Sequence, residues 1–100
     1  MANNVIIEMQ NGNKKALING LFHSGAIYRM NAIAYATLFK FEDAVIIRRL
    51  KELQNDNKGL DGYTVASFAK AALVLLGAEV YNGNDEEVKR LVNSGFEFMK

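Results

Sequence analysis

"YRMNAIAYATL", the stretch from Tyr28 to Leu38, is the most informative segment of this chain for its architecture. Eight of its eleven residues are apolar or aromatic, three of these are alanines, and the one charged residue is Arg29. The apolar side chains leave no wide polar face at a spacing of 3.6 residues. A helix with this pattern is buried on most of its circumference. We therefore predict a helix from about Ala26 to Phe39 that packs against other elements on several sides.

Clusters of asparagine, glycine and aspartate divide the rest of the chain into short segments, and the sequence contains no proline. Because proline breaks helices and these clusters mark turns, the chain is expected to form five to six helices with short connections. Four further segments have apolar residues at helical spacing, and they span about 13–25, 42–54, 63–77 and 84–95. The N-terminal segment, "NNVIIEMQ", suits a helix through Val5, Ile6 and Met9. Its "VII" also suits a strand, and the helix is preferred.

Residues at the segment ends predict where the helices begin and end. Side chains that can accept hydrogen bonds from free backbone N–H groups at a helix start are those of Asn13, Ser24 and Asp61. Gly77 is the predicted end of the fifth segment. Asn84, with Glu87 three residues later, resembles a capping box at the start of the last one.

Composition limits the class of protein. The 100 residues, half of them apolar, suffice for one domain (1–100) with its own core. No cysteine is present, so disulfides and thiol catalysis are excluded. The N-terminal residues lack the pattern of a signal peptide, and no run approaches the roughly 20 apolar residues of a membrane span. A cytoplasmic location is the default expectation, and no membrane partner is expected.

Two alanine-rich segments are similar to each other. A shift of 37 residues places Ala32 on Ala69 and Leu38 on Leu75. Each segment follows a more amphipathic one, "ALINGLF" before the first and "AVIIRRLKEL" before the second. This alternation of amphipathic and buried helices is typical of stacked helix pairs.

The alanine-rich segments also resemble the second helix of HEAT-like (armadillo-like) repeats, whose loose pattern is Val-Arg-x-x-Ala-Ala-x-Ala-Leu. The residues that carry the resemblance are Tyr28, Arg29, Ala32 and Ala36 in the first copy and Val65, Ala69, Ala72 and Leu73 in the second. Ala66 stands where the family has arginine. The resemblance covers about residues 14–93 and implies an all-α, short right-handed stack of antiparallel helix pairs. A plain helical bundle is the alternative.

The sequence contains few residues in arrangements that could catalyse a reaction or bind a metal. His23 is the only histidine, and it is expected at a surface or in a helix cap rather than in a metal site. The paired acids Glu42/Asp43 and Glu86/Glu87 each open a predicted helix, where the helix dipole favours them. The acids of the 55–62 loop lack the residue order of an EF-hand and are read as turn residues. We therefore expect no catalytic residues, no metal and no cofactor.

The remaining class is a protein-binding module: a scaffold, adaptor or inhibitor. The resemblance implies that partners dock on the second helices and their adjoining loops, and the candidate partner-binding residues there are Tyr28, Arg29, Tyr63 and Lys70. The alternative for Tyr28 is a place in the core, and for Arg29 an internal salt bridge.

Two alternative functions stay open at this point. The first is self-association into a homo-oligomer, for which Phe96, Phe98 and Met99 either cover the last helix or contact another chain. The second is a nucleic-acid-binding protein or a fragment of an enzyme. Nucleic acid is not the expected partner, because the net charge is only +1 and the basic residues are offset by nearby acids.

Overall fold

A computed structural model describes residues 4–60 and 62–100 and shows a mostly helical chain. In chain order the helices and strands are α1 (Asn4–Gln10), α2 (Lys14–Leu21), α3 (Ala26–Leu38), α4 (Ala44–Leu53), β1 (Gly59–Leu60), β2 (Tyr63–Thr64), α5 (Val65–Leu75), α6 (Glu86–Ser94) and a 3₁₀ helix (Glu97–Met99). The predicted all-α class is therefore confirmed at the level of helix content. The strand alternative for the first segment is wrong, because that segment forms α1.

The two alanine-rich helices lie at the centre. Every residue of α3 from Arg29 to Thr37 is buried, as predicted, and α3 packs against α1, α2 and α5. In the same way α5 packs against α3, α4 and α6. Small residues permit this contact on several sides: a side chain added at Gly20 of α2 would collide with Met9 of α1 and with Ala32 of α3.

The outer helices are amphipathic. The buried side chains of α4 are the predicted Ile46, Leu50 and Leu53, and those of α6 are Val88 and Leu91. Their polar faces point outwards, and α2 also contacts α4. The stacking of helix pairs into a right-handed solenoid stays a prediction. Among the described residues, no helix has both the length and the apolar character that a membrane crossing requires.

One predicted helix cap is confirmed and two are wrong. The Asn13 side chain accepts a hydrogen bond from the N–H of Ala16 at the start of α2, as predicted. The predicted cap at Ser24 is wrong, because α3 begins after Gly25 without a side-chain cap. Helix α6 is capped by Asp85 rather than by Asn84.

The start of α5 also differs from the prediction. Asp61 lies outside the described residues, and Thr64 is the cap, in a reciprocal capping box with Ser67. Tyr63 is not helical but pairs with Leu60 in the antiparallel hairpin β1–β2. The hairpin turns the chain from the loop after α4 directly into α5.

Candidate functional site

Arg29 has a place inside the fold. Its side chain is buried, with 7% of the residue exposed. Its Nε donates to Oδ2 of Asp56 over 2.8 Å, and its Nη1 donates to the carbonyl oxygens of His23 and Ser24, each at 2.8 Å. The guanidinium therefore joins the α2–α3 turn to the loop after α4. This geometry is the internal salt bridge that the sequence left open.

Tyr28 lies beside that turn. Its ring is half-buried and its centroid is 4.2 Å from that of His23. The Nδ1 atom of His23 accepts a hydrogen bond from the N–H of Gly25 at 2.9 Å, so the lone histidine supports the start of α3. Tyr28 therefore packs against the turn and stays partly accessible to solvent.

Tyr63 and Lys70 lie at and after the start of α5. The Tyr63 ring is half-buried; its centroid is 5.7 Å from that of Phe68 and 6.0 Å from that of Phe98, on which it stacks. Lys70 is half-exposed and forms no ion pair with any carboxylate in the described part of the chain. Among the described residues, no hydrogen bond, ion pair or aromatic contact joins Tyr63 or Lys70 to Tyr28 or Arg29.

Tyr63 is the only one of the four that lines an apolar hollow between α3, the β1–β2 hairpin, α5 and the 3₁₀ helix. This hollow, called the α3/α5 hollow below, has a volume of 280 Å³, and its lining residues are Ile27, Met30, Asn31, Leu60, Tyr63, Phe68, Phe98 and Met99. Three large apolar side chains at its rim are strongly exposed: Ile27 at 40%, Leu60 at 45% and Phe98 at 54%.

The α3/α5 hollow contains few groups that could do chemistry. Its one amide, that of Asn31, already donates to the carbonyl oxygen of Ile27 over 2.8 Å. Contacts with apolar side chains are therefore what this surface offers. Within residues 4–60 and 62–100, no group of three or more histidine or acidic side chains lies close enough to hold a metal ion.

Sequence reasoning missed Ile27 and Leu60, and it named Phe98 only as a residue that covers the last helix or contacts another chain. Leu60 had a usable signal, because it is a large apolar residue within the polar loop "NDNKGLDG". The tail "FEFMK" carried a similar signal, although the chain gives no local indication that Phe98 packs against Tyr63. These residues come together only in the folded chain, where α3, the β1–β2 hairpin and the 3₁₀ helix meet.

A larger depression lies between the end of α5, the α5–α6 loop and α6. It has a volume of 810 Å³, and the exposed side chain of Val80 stands at its edge, 82% accessible. It is open, and its polar groups, among them Glu79 and Lys89, are ordinary surface groups. This depression therefore offers a position, Val80, for control substitutions outside the α3/α5 hollow.

Comparison of the chain with known protein families, with curated proteins and with solved structures finds no match. The resemblance to HEAT-like repeats therefore rests on the sequence pattern described above.

Proposed function

We propose that this chain is a small non-catalytic protein-binding module whose partner contacts the α3/α5 hollow. The observation that carries the proposal is the concentration of exposed apolar side chains, Ile27, Leu60 and Phe98, around one apolar depression. Scattered exposed apolar residues are normal on a monomer, whereas a contiguous patch beside a concavity is typical of an interaction site.

The packing of the helices supports a HEAT-like stack of helix pairs, which we propose as the fold that forms this surface. Helices α2 and α3 pack together, as do α4 and α5, and the two pairs meet through α3 against α5 and α2 against α4. In a stack of this kind the second helices and the loops beside them form the binding face. The α3/α5 hollow lies between the two second helices.

The chemistry of the surface defines the partner. Arg29, the nearest buried charge on α3, is neutralised by Asp56. The hollow therefore suits an apolar or aromatic side chain presented by another protein. Each Å² of apolar surface that such a contact removes from water contributes about 25 cal/mol, before the cost of association. Because apolar burial dominates, we expect binding that depends only weakly on salt.

Affinity capture from the native host lysate, followed by mass spectrometry, tests the proposal. The wild-type chain is compared with Leu60→Glu and Ile27→Glu, which place a charge at the rim of the hollow. Val80→Glu is the matched control, because Val80 is more exposed and lies outside the hollow. We expect a stoichiometric protein with the wild type and Val80→Glu, and at least about a tenfold loss with the rim variants, since an unpaired charge is costly to bury.

Each capture is accompanied by circular dichroism and urea unfolding of the variant. Recovery of no stoichiometric protein by the wild type would contradict the proposed function. Equal recovery by wild type and by correctly folded rim variants would contradict the proposed site.

A further inference from the structure

After α6 the chain turns through two residues in the left-handed backbone region. Gly95 has φ +60° and Phe96 has φ +61°. Glycine adopts this conformation without penalty, whereas a bulky residue such as phenylalanine does so only at a cost in free energy. Phe96 stays there because its side chain is fully buried and packs edge-to-face on Phe68, with ring centroids 5.1 Å apart. The turn therefore stores strain that the buried ring holds in place.

Residues 96–100, called the C-terminal segment below, begin with this buried anchor, and after it Glu97, Phe98 and Lys100 are exposed while Met99 is half-buried. Phe98 stacks on Tyr63, and the hydroxyl of Tyr35 donates to the carbonyl oxygen of Met99 over 2.9 Å. Met99 has an open hollow on each side, the α3/α5 hollow of 280 Å³ and another of 420 Å³ that is lined also by Gln10 and Tyr35. The segment therefore packs against Tyr35 of α3, Tyr63 of the hairpin and Phe68 of α5, and the surface that these residues form is called its seat below.

We propose that the C-terminal segment exchanges between two copies of this chain, so that each copy's segment occupies the other's seat in a dimer. The seat is complementary to residues 96–100, and a second copy supplies the same residues with the same contacts. Opening the turn at Gly95 and Phe96 releases its backbone strain, which favours the exchanged form. Domain swapping at a strained hinge is a low-cost route to a dimer. Because association itself costs entropy, the dimer is expected at high protein concentration.

The exchange has a consequence for the surface. Phe98 lines the α3/α5 hollow, so in the dimer each hollow contains the Phe98 of the other copy. This inference does not depend on the proposed binding of another protein, because it concerns purified protein alone.

Cross-linking can distinguish exchange from simple contact, because the chain has no cysteine of its own. Gln10 and Lys100 are exposed and line the same hollow, so the double variant Gln10→Cys/Lys100→Cys places two thiols on either side of the seat. The variant is unfolded, refolded at high concentration and separated by size exclusion, and each fraction is treated with a short bismaleimide. We expect links within one chain in the monomer fraction and links between two chains in the dimer fraction.

The hinge is tested by Gly95→Val, which adds strain to the left-handed backbone conformation at a position where no atom lies within 4 Å of the new Cβ. Gly77→Val is the matched control: Gly77 also has a positive φ and open space, but it lies at the end of α5, away from the hinge. Light scattering should show an association constant raised about tenfold by Gly95→Val and not by Gly77→Val, since the closed turn alone is penalised.

Three results would overturn the proposal. One is a refolded wild type that stays monomeric at the highest soluble concentration. The second is a dimer fraction whose thiols are linked within single chains. The third is an equal rise in dimer for Gly77→Val and Gly95→Val, which would indicate general destabilisation instead of a hinge.

Discussion

At the scale of single residues, Arg29 shows how a buried charge is accommodated. Its guanidinium donates to one carboxylate and two backbone carbonyls, so the charge and its N–H groups are satisfied inside the fold. A buried ion pair contributes little compared with apolar packing, yet removing one partner leaves the other charge uncompensated. Arg29 is therefore expected to matter for folding whether or not a partner contacts it.

Arg29→Met should lower the free energy of unfolding by about 3 kcal/mol, at the lower end of the range for breaking a buried pair, because Asp56 keeps some contact with water. Arg48→Met is the control, since Arg48 is exposed on α4, and it should change the value by less than about 0.5 kcal/mol. Urea unfolding followed by circular dichroism measures both. A loss for Arg29→Met no larger than that for Arg48→Met would show that the pair has no structural role.

Lys40 illustrates a cost in backbone conformation, since its φ lies in the left-handed region. It has φ +58° at the end of α3, where the N–H groups of Lys40 and Phe41 bond back to the carbonyls of Thr37 and Ala36. The same arrangement ends α5, but there Gly77 occupies the left-handed position, as the sequence predicted. Glycine is the residue that this position favours.

Lys40→Gly should therefore raise the midpoint of thermal unfolding. The relief of backbone strain is partly offset by the greater freedom of glycine in the unfolded chain, so the free energy of unfolding should rise by about 0.5 kcal/mol. The reciprocal change Gly77→Ala should cost about 1 kcal/mol, since its Cβ meets no atom within 4 Å and only the backbone conformation is penalised. Differential scanning calorimetry can measure the pair. Shifts of the same sign for both variants would argue against this account.

At the scale of whole elements, Glu87 joins α6 to α5. The sequence placed it in a capping box at the start of its own helix, and that prediction is wrong. Its Oε2 instead accepts hydrogen bonds from the N–H of Thr64, over 2.8 Å, and from the hydroxyl of Ser67. A carboxylate at this position is favoured by the free N–H groups and the dipole of α5.

Glu87→Gln keeps the shape of the side chain and removes its charge, so it should lower the free energy of unfolding by about 1.5 kcal/mol. The adjacent Glu86→Gln removes the same charge from an exposed position and should have an effect below about 0.5 kcal/mol. Chemical denaturation of the two variants side by side provides the measurement. Equal effects would mean that the contact between α6 and α5 contributes nothing specific.

At the scale of the molecule, burial predicts the order of local stability. Helix α3 is enclosed by α1, α2 and α5, whereas α1 has one fully buried side chain, Met9, and the 3₁₀ helix has none. Segments with few buried contacts open without global unfolding. Native-state hydrogen exchange followed by NMR should therefore show the slowest amides in α3 and α5 and much faster ones in α1 and in residues 97–100. Exchange in α1 as slow as in α3 would contradict this order.

The candidate site was only partly accessible from the sequence. Tyr63 was predicted, because tyrosine on a second helix of the repeat is a favoured anchor at interfaces. Leu60 and Phe98 lie far apart in the chain and meet at one hollow, which no local pattern indicates. For Arg29 the sequence left two alternatives open, because its partner Asp56 is 27 residues away.

By itself, the sequence determined the helical class, the central position of the two alanine-rich helices and the buried stripe of α4. These properties follow from the spacing of apolar residues within a single helix, which is a local quantity. Only the tertiary structure decided that Arg29 is paired inside the fold, that Glu87 caps a neighbouring helix, and that Tyr63 pairs with Leu60 before α5 begins. The contacts of Arg29 and Glu87 depend on the distance between atoms that are remote in the chain, which the packing of the helices sets.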